Sequence, residues 1–466
     1  MANYIPKKSF YISLQPAQAW TAILGLVLFT ALCILAHAGA ILRLAFPAVS
    51  FIVGLFLYRR YPILYIGFTW WVWFITPWIR RLVDIQSGWV DPSPILLAPP
   101  LVTLITLASF LRYLPQSYYQ GGLPFILSFL GVTYAFLIGL IQVSPIATML
   151  ACLNWLTPIV FGFHLFINWR HYPQIQQNIQ RTFLWGTLVT GSYGIWQYLV
   201  APEWDKFWIV NTGAVAFGTP EPLGIRVFST MNSPQPFAVV MMAGLLLLFN
   251  GKGSLRFASA GVGYLSLLLS SARAVWLGWL VAVFILISSL KAKLQMRLII
   301  TLLVIVILVL PLANIEPFSS VIAPRIESLT NANDDVSYNE RSERYETYLG
   351  IAFTQIIGSG LGGNTALGPN IDSGILDIFY SFGWLGALPY LGGIILLIFS
   401  LLQYPEVRFD SFMGAARAIS IGVFAQIGFN GATAGVFGIV LWAFLGLAVA
   451  AHRYYSQQNK PGIKDL

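Results

Sequence analysis

Apolar runs of roughly 15 to 25 residues alternate with short polar breaks along almost the whole chain. A helix needs about 20 predominantly apolar residues to cross a bilayer. Applied from the N-terminus, that rule predicts spanning helices over Ala17–Ala36, Arg43–Tyr58, Pro62–Ile79, Pro94–Arg112, Leu123–Ile141, Ile146–Ile167 and Thr182–Val200. It continues with Pro236–Phe249, Arg256–Leu269, Ala272–Leu290, Arg297–Ala313, Ile375–Leu402, Phe412–Asn430 and Ala434–Ala450. The expected fold is all-α: a polytopic integral membrane helical bundle of about 12–14 transmembrane helices. No repeat period, low-complexity tract or separate soluble domain interrupts the pattern, so residues 1–466 read as a single polytopic membrane domain.

Two stretches stand out as long and polar. The shorter is 201–235; the longer is 314–372, with polar character continuing to Asp377. In the longer one, Ser337-Tyr-Asn-Glu340 fits a capping box, which predicts an amphipathic helix from Tyr338 to Ile357. On it Arg341, Arg344 and Tyr348 fall at i, i+3 and i+7, on one face, while Leu349, Phe353 and Ile356 line another.

Composition agrees with the pattern. The chain is 57% hydrophobic and only 9% charged, where a soluble protein carries about a quarter charged residues. The 16 Trp and 21 Tyr suit aromatic belts at the two interfaces. A net charge of +9 would point to nucleic acid in a soluble domain; here it reads as loop Lys and Arg that set topology, and no nucleic-acid partner is expected. With the N-terminus placed in the cytoplasm, roughly 17 of the 26 Lys and Arg fall on the inside. Both long stretches are then extracytoplasmic and the C-terminus is cytoplasmic. Trp20–Ala36 follows Lys7 and Lys8 without a convincing cleavage site and reads as a retained first helix. Cys33 and Cys152 lie in apolar runs and suggest no disulfide framework.

Candidate chemistry gathers at the expected outer edge. Arg226 sits in Gly224-Ile-Arg-Val-Phe-Ser-Thr-Met-Asn-Ser-Pro234, Arg273 follows Ser270-Ser-Ala, and Arg344 is on the loop helix. Each alone reads equally as a snorkelling helix-end arginine. Together they suit a pyrophosphate, which guanidinium groups bind in bidentate fashion and without losing their charge. Asp372 opens a helix, either as its N-cap or as a general base near an acceptor hydroxyl. Asp377, five residues on, is a buried-carboxylate candidate or a salt-bridge partner for an outer arginine. Gly358, Gly360 and Gly363 match GxGxxG, but no strand precedes them, so a turn or an anion nest is expected rather than a dinucleotide site. His37, His164, His171 and His452 show no metal-ligand spacing, and no Walker-type phosphate loop is present. Neither a metal nor any other cofactor is expected.

At these residues the chain resembles the O-antigen ligase / O-antigen polymerase family of bacterial membrane glycosyltransferases. The resemblance covers the second half, from Arg226 onward. It rests on Arg226 with Phe228 and Asn232-Ser-Pro, on Ser270-Ser-Ala-Arg273 with Leu277-Gly278, and on Arg344 ahead of Tyr348 and Gly360-Leu-Gly362. It continues with Asp372-Ser-Gly-Ile-Leu376 and Gly383-Trp-Leu-Gly386, where ligases carry His-Asn-x-x-Leu and a later Gly-x-x-Gly. The resemblance implies transfer of a glycan from undecaprenyl diphosphate to a hydroxyl on an acceptor glycan or lipid, at the outer face of the inner membrane. It implies Asp372, Arg226 and Arg273 as the catalytic set. Arg341, Arg344, Tyr348, Ser373 and Asp377 would bind the pyrophosphate and glycan. Asp372 and Ser373 stand where ligases have His and Asn, which favours a polymerase over ligation to a lipid A core. The alternatives are an O-antigen ligase proper, with a lipid A core or another lipid or protein as acceptor, a secondary transporter of an anion, and a non-catalytic subunit of a glycan-export assembly.

Overall fold

The computed structural model describes residues 16–249, 253–289, 349–363, 373–431 and 433–458, with a few single positions between 292 and 303. The described residues are helical throughout apart from turns and one isolated bridge, Gly218 with Ile225. The helices are α1 (Ala17–Leu35), α2 (Gly39–Arg60), α3 (Pro62–Ser87), α4 (Ala98–Leu104), α5 (Leu107–Ser117), α6 (Leu123–Gln142), α7 (Pro145–Ile167) and α8 (Tyr172–Val200). They continue as α9 (Glu203–Thr212), α10 (Pro234–Leu248), α11 (Leu255–Leu269), α12 (Arg273–Ser289), α13 (Gly374–Gln403), α14 (Ser411–Phe424) and α15 (Gly435–Gln458). Eight segments are long and apolar enough to cross a membrane: α1, α2, α3, Pro94–Ser117, α6, α7, α13 and α15. The molecule is a multi-pass membrane helical bundle.

Local chemistry sets the helix ends. Prolines at the first turn open α3, α7 and α10, where the missing N–H would have had no partner in any case. Asp410 caps α14 through its Oδ1, which accepts from the N–H groups of Phe412 and Met413 at 2.9 and 3.2 Å. Ser373 caps α13, with its Oγ 3.5 Å from the N–H of Leu376. The helix N-cap expected of Asp372 is therefore filled by its neighbour; Asp372 itself lies outside the described residues.

Several predicted boundaries move. The helix predicted over Pro62–Ile79 runs on to Ser87, so Arg80 and Arg81 are buried helical residues rather than loop charges. Pro94–Arg112 is divided into a short 3-10 turn, α4 and α5. Thr182–Val200 is only the later part of α8, which begins ten residues earlier in a Gln-rich stretch. The predicted loop 201–235 contains α9, and an apolar cluster of Trp208, Ile209, Phe217, Ile225 and Phe228 holds it folded. Most of the segment predicted over Arg297–Ala313 lies outside the described residues. So does the start of the loop helix, with its expected Arg341, Arg344 and Tyr348; its last turns are helical over 349–354.

The core is centred on α10, buried over nearly its whole length and touching α8, α11, α12, α14 and α15. α15 is buried against α7, and α13 runs along α6. α13 is broken at Gly383, which adopts φ 59° and ψ −177°, a conformation closed to most other residues. Residues 355–361 lie in that break. Ser359 and Gly360 donate to the carbonyls of Tyr380 and Ser381, each at 2.9 Å, while Trp384 and Leu385 donate to Gln355 and Ile356, each at 3.2 Å. Leu361 then donates to Ala135 of α6 at 3.0 Å. The glycine cluster is thus a clasp between α6 and α13, and its first three glycines, Gly358, Gly360 and Gly362, all have positive φ. Close backbone packing accounts for the first two glycines of the GxGxxG match, Gly358 and Gly360, without any ligand.

Candidate functional site

Three apolar helices, α10, α11 and α14, have only 14 or 15 residues each. At 1.5 Å per residue they span about 21–23 Å, short of the ~30 Å hydrocarbon core. The chain makes up the difference with non-helical polar backbone at one end of the bundle: residues 224–233, the turn 270–272, and 425–431 with 433–434. Irregular backbone beside apolar helices survives where protein or a water-filled cavity surrounds it, and such breaks mark binding sites in many membrane proteins.

These breaks meet. Val227 donates to the carbonyl of Leu269 at 3.1 Å, and Arg226 Nη2 donates to the carbonyl of Ser271 at 3.0 Å. Arg226 is therefore fastened to the turn that carries Arg273 two residues later. Its Nη1 donates to the carbonyl of Ala216 at 2.9 Å, and its backbone N–H to that of Phe217 at 2.8 Å. Ser271 has φ 52°, unusual for a non-glycine residue, which lets α11 give way to α12 within three residues. Further along α12, Gly278 lies against the Gln426 side chain and the carbonyl of Gly422. From there the 425–430 segment reaches α13: Gly374 donates to the carbonyl of Asn430 at 3.0 Å and Ile375 to that of Ile427 at 3.1 Å. Contacts thus run unbroken from Arg226 through the Arg273 turn and Gln426 to Ser373. Asp377, one turn into α13, accepts from Ser381 Oγ at 3.1 Å. Arg341, Arg344, Tyr348 and Asp372 lie outside the described residues.

The sequence did not single out the polar side chains between these points. Thr230 Oγ1, Asn232 Oδ1, Ser271 Oγ, Asn430 Oδ1 and Thr433 Oγ1 are buried and have no hydrogen-bond partner among the described residues. Asn430 turns its amide nitrogen to Gln426 Oε1 at 3.3 Å, leaving the oxygen over. A buried polar atom without a partner costs about 1–3 kcal/mol, so native structures keep few of them. Of the 23 such atoms among the described residues, these five oxygens sit on the breaks, where donors from outside the fold, such as the hydroxyls of a sugar, would satisfy them. The available sequence signal was the polar residues at the ends of short apolar runs: Thr230 and Asn232 before Pro234, and Asn430 to Thr433 before Ala434.

A second missed feature holds the Arg226 loop in place. Arg81 on α3 and Asp205 on α9 form an ion pair, Nη1 to Oδ1 at 2.9 Å, with side chains 1% and 0% exposed. Its alignment is poor for a hydrogen bond, so the contact is mainly one of charge. Asp205 Oδ2 accepts from Gln197 Nε2 at 2.7 Å and from the Tyr193 hydroxyl at 2.8 Å. Burial raises the Asp205 carboxyl above its ordinary value, while Arg81, Gln197 and Tyr193 pull it back. Gln197 Oε1 in turn accepts from the N–H groups of Phe228 and Ser229, at 3.1 and 2.8 Å. Arg81 donates to the carbonyl of Ser229, and its guanidinium lies 4.7 Å from the centre of the Phe228 ring. The backbone two and three residues after Arg226 is thus gripped from both sides by a charged network.

In comparisons with protein families, with curated proteins and with solved structures, nothing matches the chain. The site's own chemistry carries the functional reading.

Proposed function

We propose that the protein is a membrane glycosyltransferase that moves a glycan from undecaprenyl diphosphate onto an acceptor hydroxyl, as a polysaccharide polymerase or a closely related ligase. The observation that carries this reading is the fastening of the Arg226 loop to the Arg273 turn, on the same breaks as buried polar oxygens that have no partner among the described residues. In this reading that end of the bundle faces the outside of the inner membrane, as the distribution of Lys and Arg favours. The acceptor oxygen attacks the anomeric carbon, and the bond from that carbon to the diphosphate oxygen breaks. The diphosphate leaves with the electron pair, its growing charge met by the guanidinium groups of Arg226 and Arg273. The acceptor proton passes to the Asp372 carboxylate. Arg341, Arg344 and Tyr348 of the long loop, with Ser373 and Asp377, complete the donor site. The oxygens of Asn232 and Asn430 receive sugar hydroxyls.

The length distribution of surface polysaccharide tests this, run on a gel for the wild type, the deletion, and Arg226→Ala, Arg273→Ala and Asp372→Ala. With membrane levels unchanged, each variant loses the long ladder and keeps single-repeat material. Loss of all attached glycan, with polymer left on its lipid carrier, identifies the ligase reaction instead. A wild-type ladder in the deletion sinks the proposal. One observation favours a different class: a helix broken at Gly383 with an extended segment laid into it also occurs in anion transporters. That reading predicts anion uptake that depends on Arg273 and an unaltered ladder.

A further inference from the structure

At the end of the bundle opposite the breaks, a cavity of ≈ 560 Å³ opens between the start of α6 and the last turns of α13 and α15. Its floor is apolar, from Leu396, Leu397 and Val449, and its rim is polar, from Ser400, Arg453 and Ser456. Leu396 is 43% exposed and its neighbours Ile395 and Phe399 are more so, which places the opening on a surface facing lipid. Arg453 is fixed there. It donates to Gln120 Oε1 and lies 5.6 Å from the Phe166 ring centre and 5.0 Å from that of Trp169. Arg170 lies 4.7 Å from the same Trp169 ring. Two guanidinium groups thus share one indole, and among the described residues no carboxylate pairs with either. No acid is among the lining residues; Glu406, outside them, pairs with the lining residue His452 at 3.0 Å, whose ring stacks on Tyr404.

Two like charges close to one ring repel, and in a low-dielectric setting an anion beside Arg453, the one that lines the cavity, is favoured. The apolar floor asks for hydrocarbon below that anion. We propose that this cavity is a site for an anionic phospholipid, with its phosphate on Arg453 and an acyl chain along Leu396, Leu397 and Val449. Basic pockets between spanning helices take such headgroups by the same charge logic. The inference does not depend on the reaction at the other end of the bundle.

The test uses the full chain purified in a neutral detergent. Bound lipid is counted by native mass spectrometry, and thermal unfolding is followed, with phosphatidylglycerol, phosphatidylcholine or inorganic phosphate added. Phosphatidylglycerol is expected to bind and to raise the melting temperature, with phosphatidylcholine and phosphate having little effect. Arg453→Gln is expected to weaken that binding about tenfold, the loss of one charge-assisted hydrogen bond. If Arg453→Gln does not fold, Gln457→Glu, which adds a like charge at the rim, replaces it and is expected to show the same loss. Equal binding of the two lipids, equal stabilisation by free phosphate, or a phosphatidylglycerol preference that survives the folded variant overturns the proposal.

Discussion

Removing the Arg81 side chain strands a carboxylate where there is no water to receive it. Taking one partner from a buried pair costs about 3–5 kcal/mol, because the other charge stays behind. Arg81→Met is therefore expected to lower the thermal unfolding temperature of the purified protein sharply. Arg81→Met with Asp205→Leu should recover part of the loss, since both charges are then gone; a double variant no better than the single would show that the pair does not act as a unit. Asn430 makes the opposite case. Its Oδ1 has no partner among the described residues, while its amide nitrogen serves Gln426 Oε1; Asn430→Leu removes one unpaired oxygen and strands another, so stability should stay within about 2 kcal/mol of wild type while the polysaccharide ladder shortens. A large loss of stability with a normal ladder would make Asn430 a structural residue only. Lys at Arg226 or Arg273 should restore the ladder only in part, because an ammonium lacks the bidentate fork. At this scale the sequence exposed Arg226 and Arg273 well, since a charge beside an apolar run is conspicuous. It hid Arg81 and Asp205, whose meaning comes from a partner 124 positions away. It also hid Asn430 and Thr433, ordinary polar residues until the fold leaves their oxygens without partners.

Among the elements, the clasp of 355–361 in the break of α13 is the one most exposed to a single change. A Cβ on Gly360 would be driven into the backbone of Gly139 on α6, and Gly360 has φ 78°. Neither neighbour can yield without parting α6 from the clasp. Gly360→Ala is expected to destabilise the protein by more than about 1 kcal/mol, the ordinary cost of forcing a side chain into such a backbone, read as a lower unfolding temperature; an unchanged one would show that the clasp is not needed. Helix positions were readable from the apolar runs because a bilayer fixes how long a run must be. What could not be read was where a helix breaks within a run. The division at Ile105–Thr106 and the kink at Gly383 depend on what lies beside them. α8 was under-read because its first turns are Gln-rich, and membrane rules score such residues as loop, although Ile175 and Ile179 bury one face.

For the whole molecule, the orientation inferred from Lys and Arg yields a direct check. In a background without Cys33 and Cys152, a cysteine at exposed Asn211 should react with an impermeant thiol reagent added to intact cells. One at Gln458, at the end of α15, should react only after the membrane is opened. The reverse pattern would place the breaks, and with them Arg226 and Arg273, on the cytoplasmic side and remove the lipid-linked donor from reach.

The short helices have one further consequence, which concerns the bilayer rather than the protein. α11 has 15 residues and exposes Phe257, and α12 beyond it exposes Leu277, Leu280 and Phe284, so both face lipid, yet α2 and α13 elsewhere on the perimeter have 22 and 30 residues. Lipid around the molecule must therefore match two different hydrophobic thicknesses. Thinning beside α11 costs only fractions of a kcal/mol per Å. It draws the headgroup level down towards the turn that carries Arg273. A polyprenyl chain moving within the leaflet would then bring its phosphates to the depth of that turn by lateral diffusion, without being lifted out of the membrane.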